Sequence, residues 1–98
     1  MNDIKTSAEK VGMPEISRFY GIIIAMFYDD HNPPHFHARY GSYKAAIKIR
    51  DFAVLEGYLP PRAMGLVMEW AAIHKDDLLL DWEAAKEKKP MLPIEPLK

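Results

Sequence analysis

Three histidines, two adjacent carboxylates and an arginine fall within thirteen residues, Asp29-Asp30-His31-Asn32-Pro33-Pro34-His35-Phe36-His37-Ala38-Arg39-Tyr40-Gly41. A loop that only joins two strands has no need of these groups. Imidazole changes charge near neutral pH, so paired histidines can act as acid and base or as metal ligands. His35 and His37 stand two apart, which on a strand sends both rings out of one face with Cα atoms roughly 6.5–7 Å apart. Two such rings can reach one metal ion, with His31 as a third ligand and Asp29 or Asp30 as a carboxylate. The neighbouring cations oppose that reading. Arg39, Lys44 and Lys48 crowd the same face, and the pattern predicts neither a bound metal nor a cofactor.

The same cations favour anion binding. His35, His37, Arg39, Lys44, Lys48 and Arg50 make a basic set suited to phosphates or to an acidic partner. Two plainer readings stand beside it. Exposed sheet faces are often charged to resist association, and these histidines can simply hydrogen-bond the loop and pack on Pro33 and Pro34. Asp29 and Asp30 can orient an imidazole or serve as turn formers ahead of Asn32-Pro33, the turn role being favoured.

The elements that position this set follow from alternation. Phe36, Ala38 and Tyr40 alternate with His35, His37 and Arg39. After Gly41-Ser42, Tyr43, Ala45, Ile47 and Ile49 alternate with Lys44, Ala46, Lys48 and Arg50. Two period-two runs split by Gly-Ser predict a β-hairpin with a type II′ turn, Gly41 supplying the positive φ. Counting from the turn pairs Tyr40 with Tyr43, Arg39 with Lys44, His37 with Ala46 and His35 with Lys48. One face is then apolar, and the other carries the basic set with Ala46 between. A slip of one residue would exchange the faces.

Around the hairpin, Ile16–Tyr20 predicts a short strand, and Gly21 a bulge or tight bend. The run Ile22–Tyr28 is continuously apolar, which predicts a central strand covered on both faces. Ala53–Leu55 predicts a short edge strand before Gly57. Pro61 suits the first position of a helix whose inner face is Ala63, Leu66, Val67, Trp70 and His74. Asp76 or Asp77 can cap a second helix with Leu78, Leu79, Trp82 and Ala85 inward, and Pro90 stops it. Both tryptophans are expected in the core. Lys86, Lys88 and Lys89 are expected against the helix's negative end. Strands followed by helices predict an α+β fold: a small antiparallel sheet of three to five strands with two helices packed on one face. Residues 1–12 are expected as a flexible leader, 13–89 as a single domain, and 90–98 as an extended proline-containing tail packing on its own sheet or on a partner.

Length and composition set the outer bounds. A chain of 98 residues fits one domain, and 49% apolar residues argue against wholesale disorder. The absence of cysteine excludes a disulfide scaffold, a thiolate nucleophile and thiolate-bound zinc. No signal peptide is visible, and no apolar run approaches the roughly 20 residues of a membrane span, so a cytoplasmic protein without membrane contact is expected. The net charge of −1 hides an asymmetry. Residues 1–50 carry seven Lys or Arg against five Asp or Glu, and residues 51–98 carry six against nine. The cations of the first half fall largely on the hairpin face.

Three segments carry a family resemblance: Met13-Pro14-Glu15-Ile16-Ser17-Arg18-Phe19-Tyr20-Gly21-Ile22, the Asp29–Gly41 block, and Leu55-Glu56-Gly57 through Trp70. Together they resemble a bacterial family of small proteins, domain of unknown function 4160, over about residues 13–89. The resemblance implies one member of a compact two-gene module, similar to toxin–antitoxin pairs, and hence a small partner protein, with nucleic acid as a further candidate partner. It supplies no catalytic residues. The leading expectation is a binding module that grips RNA, DNA or a small partner protein through the His/Arg/Lys face. The alternative is a small His-dependent ribonuclease or metal-assisted hydrolase using His31, His35 and His37. A homo-oligomer is compatible with either.

Overall fold

The computed structural model describes residues 13–98. The leader expected over residues 1–12 lies outside them. Five antiparallel strands form a meander in the order β1-β2-β3-β4-β5: β1 Glu15–Phe19, β2 Ile22–Ala25, β3 His35–Tyr40, β4 Tyr43–Lys48 and β5 Val54–Tyr58. Two helices follow, α1 Pro61–Ile73 and α2 Lys75–Lys86. The α+β architecture read from the sequence is the one observed.

Each hairpin follows from its turn. Tyr20 and Gly21 both have positive φ, the pattern of a two-residue type I′ turn, and Phe19 pairs with Ile22 across it. Gly41 has φ +59, and the β3–β4 register is the expected one, from Tyr40 with Tyr43 to His35 with Lys48. The edge strand β5 departs from expectation. It begins at Val54 and continues through Gly57, which has φ +84. A side chain at Gly57 would run into the Lys44 carbonyl and lie 2.8 Å from Ala45 Cα, so β5 approaches β4 as only glycine permits.

Ile22, Ile24, Phe36, Ala38, Ala45 and Ile47 line one sheet face and are buried. They meet Ala63, Val67, Trp70 and Ala71 of α1 and Leu78, Trp82 and Ala85 of α2 in one cluster. Burying an aliphatic or aromatic side chain of this size contributes roughly 1.5–3 kcal/mol. Pro61 opens α1 as expected. At α2, Asp76 and Asp77 lie in the first turn and complement the helix dipole, but neither side chain caps it. Only His74 separates the two helices, so α2 starts before an aspartate can serve as a cap.

The run through Phe27 is not covered on both faces. Ile22, Ile24 and Met26 point to the helices, whereas Ile23 is half-buried and Phe27 exposed on the other side. Both helices pack on one face, and no described element lies over the other.

The proline-containing tail packs on its own domain. Ile94 donates its backbone N–H to Ile16 (2.8 Å), and its carbonyl accepts from the Ser17 hydroxyl (2.9 Å). Trp70 Nε1 donates to the Glu95 carbonyl, and the Leu92 N–H donates to buried Asp81. The tail thus covers the outer edge of β1 and pins it to both helices.

Candidate functional site

The histidine-rich segment enters β3 through a loop tied to the end of α2. Asp29 sits in the left-handed region at φ +51 and donates its N–H to the Ala85 carbonyl (2.9 Å). Lys86 Nζ reaches the Asp30 carbonyl at 3.2 Å. Those contacts aim the Asp30 carboxylate at the start of β3. Asp29 therefore takes the turn role expected of the pair, while Asp30 takes the role of partner to imidazole. Lys86, expected to face the end of its own helix, instead anchors this loop.

His35 and His37 leave the same face of β3, with ring centroids 5.1 Å apart, but their surroundings differ. His35 is only 6% exposed and lies against the Trp82 ring at 5.3 Å. Its Nδ1 is 2.7 Å from the Pro33 carbonyl, so Nδ1 carries a proton and donates. Its Nε2 is 2.9 Å from Asp30 Oδ2. His37 has a side chain 26% exposed, and its Nε2 lies 3.7 Å from the same oxygen. That separation is too long for a hydrogen bond, and this buried nitrogen has no partner. Phe27 meets the His37 ring edge-on at 4.8 Å. His31 does not converge with the others. Its side chain is 91% exposed, with Nδ1 3.1 Å from Asp30 Oδ1 and its ring centroid 6.2 Å from that of His35.

Burial lowers the His37 pKa, and the nearby His35 lowers it further against the opposing pull of Asp30 and Glu56. Burial of Asp30 works to raise its pKa. The His31 backbone N–H and the three imidazoles outweigh that effect and hold the carboxyl below its ordinary value. The cluster thus pairs an ionised carboxylate with a His37 ring that tends to stay neutral.

The expected basic stripe is broken up by the fold. Arg39 and Lys44 stand opposite each other on β3 and β4, both exposed. Lys48 is half-buried and 3.6 Å from Asp51. Arg50 falls beyond β4, in the turn, where its carbonyl accepts from Lys75. His35 is withdrawn into the loop. Only His37, Arg39 and Lys44 of the set line the concavity of about 670 Å³ on the open sheet face. Its apolar floor was missed by the sequence reading. Ile23, Ala25, Phe27 and Ala46 lie there, with Glu15 and Glu56 among the walls. Ala46, expected only as a small spacer, is buried in this floor.

The match to known proteins covers most of this architecture. A family model described as Domain of unknown function (DUF4160) matches residues 21–83, from the β1–β2 turn to near the end of α2. The chain belongs to that family. No curated protein and no solved structure matches it. No described helix is long and apolar enough to cross a membrane.

Proposed function

We propose that this chain is a cytoplasmic binding module, one component of a toxin–antitoxin-like pair, and that its open sheet face docks a segment of the partner protein. The apolar floor carries this reading. Ile23, Ala25, Phe27 and Ala46 form a strip across a sheet face that no described element covers. Such surfaces mark interaction sites. Charges of both signs surround the strip, Arg39 and Lys44 on one side and Glu15 and Glu56 on the others. A nucleic-acid backbone would meet those carboxylates unfavourably, whereas a protein segment can match them. The complementary segment has an apolar face and an acidic group where it meets Arg39 and Lys44. The family's resemblance to two-gene modules supports a protein partner encoded alongside.

Co-expression with a small protein encoded beside this chain, as the family resemblance implies, tests this reading. A stable complex on size exclusion is expected, and it should be lost with Phe27→Glu, at an exposed position, while the circular dichroism of the chain is unchanged. No complex, or one indifferent to that change, would overturn the reading. Salt-sensitive binding of a labelled RNA or DNA duplex, abolished by Arg39→Ser with Lys44→Ser, would replace it with a nucleic-acid interface.

A further inference from the structure

We infer that Asp30, His35 and His37 form a binding site for a divalent transition-metal ion such as zinc, beside the sheet-face concavity. The inference is independent of what docks on that face. One ligand atom from each residue converges, all within 4.8 Å of one another. Asp30 Oδ2 is 2.9 Å from His35 Nε2 and 3.7 Å from His37 Nε2. Bonds of about 2.0–2.2 Å at a tetrahedral angle place ligand atoms roughly 3.3–3.6 Å apart, so rotation of the side chains that draws in the more widely spaced atoms would seat an ion.

The polar bookkeeping of the cluster points the same way. The Pro33 carbonyl takes the Nδ1 proton of His35 and directs a lone pair on Nε2 towards the Asp30 carboxylate. A lone pair facing a carboxylate needs a proton or a cation between them. Metal-bound histidines commonly donate their other ring nitrogen to a carbonyl in this way. The buried His37 Nε2 lacks any partner and lies beside the same oxygen. One ion would satisfy all three atoms.

Nearby cations do not block the site. Lys86 spends its ammonium on the Asp30 backbone carbonyl, and Lys48 faces Asp51. Arg39 lies two residues beyond His37, while Glu56 stands in register beyond Ala46, in line with His37 across the sheet. Two imidazoles and one carboxylate suit zinc or another first-row ion rather than magnesium or calcium. Three protein ligands leave at least one coordination position for water or another ligand, and His37 also lines the concavity.

Zinc chloride titrated into untagged, chelator-treated protein, followed by calorimetry, tests the site. Cobalt(II) absorption provides a second readout of the ligand set. One equivalent should bind at micromolar concentration or tighter. His37→Gln, with its fold checked by circular dichroism, should weaken binding by at least about tenfold, as should Asp30→Asn. His31→Gln should leave it unchanged. Absence of binding in the wild type, or binding that survives both His37→Gln and Asp30→Asn, would overturn the site. Loss of binding in His31→Gln alone would overturn this ligand set.

Discussion

The Nε2 atom of His35 lies 2.9 Å from Oδ2 of Asp30, inside a loop that is itself bonded to the end of α2. This pairing joins the first strand of the central hairpin to the last helix. Asp30→Ala removes the partner of a buried imidazole and the acceptor of the His31 N–H, and should cost about 1–3 kcal/mol. Asp30→Asn keeps an acceptor for His31 and can donate an amide proton to His35 Nε2, so its cost should be smaller. Urea denaturation of the two variants against wild type gives the comparison, and an Asp30→Ala protein as stable as wild type would show that the pairing adds no stability.

Arg39 and Lys44 project from paired positions into solvent. Replacing each with Ser should leave thermal unfolding within about 0.5 kcal/mol of wild type. Partner affinity should fall by roughly 0.5–3 kcal/mol per residue, as for a surface that loses contacts in partial steps. Calorimetry on the isolated complex measures it, and full affinity in the double variant would leave these cations a solubilising role only.

Gly57 and Gly41 both have positive φ, but their surroundings differ. At Gly41 an added methyl meets nothing within 4 Å, and Gly41→Ala should cost about 1 kcal/mol, the conformational term alone. At Gly57 the methyl meets the backbone of β4, and Gly57→Ala should cost clearly more, on the order of 2–4 kcal/mol. Amide exchange should localise the Gly57→Ala defect to β4 and β5. A Gly57→Ala protein as stable as Gly41→Ala would contradict the close approach.

Asp81 is buried with one carboxylate oxygen unpartnered, and the other accepts from the Leu92 N–H. Burial raises its pKa, with nearby Asp77 adding to the effect and the Leu92 N–H opposing it. A carboxyl whose folded pKa is raised favours the fold when protonated. That contribution is complete below the unfolded pKa and is lost as pH rises through the folded one. Asp81→Asn keeps an acceptor for Leu92 without the buried charge. It should therefore be more stable than wild type at pH 7, on the order of 1 kcal/mol, and the advantage should shrink towards pH 3. Melting curves across that interval test the sign, and an advantage that grows in acid would refute it.

The hairpin was legible because alternation and a Gly-Ser turn specify register locally. Tyr40 faces Tyr43 and His35 faces Lys48 as counting from Gly41 requires. The difference between His35 and His37 was not legible. Strand periodicity puts both on one face, but the first is buried against Trp82, which comes from α2, and is the one within bonding distance of Asp30. The apolar floor was hidden for a related reason. A run such as Ile22–Tyr28 reads as doubly covered whenever both faces are apolar, and sequence does not say that only one receives helices. The positive φ of Gly57 depends on the approach of β4, which local sequence does not encode.

The Ile94 contacts with Ile16 and Ser17 join positions 77 or more residues apart. During synthesis all five strands emerge before the segment that shields the first of them. Until then the outer edge of β1 offers free N–H and C=O groups, and an open edge invites pairing with other chains. The segment after α2 thus acts late, as a guard against association of half-made molecules as well as a fastening for the finished one. Ile94→Asp should therefore reduce soluble yield more than its loss of equilibrium stability alone would suggest.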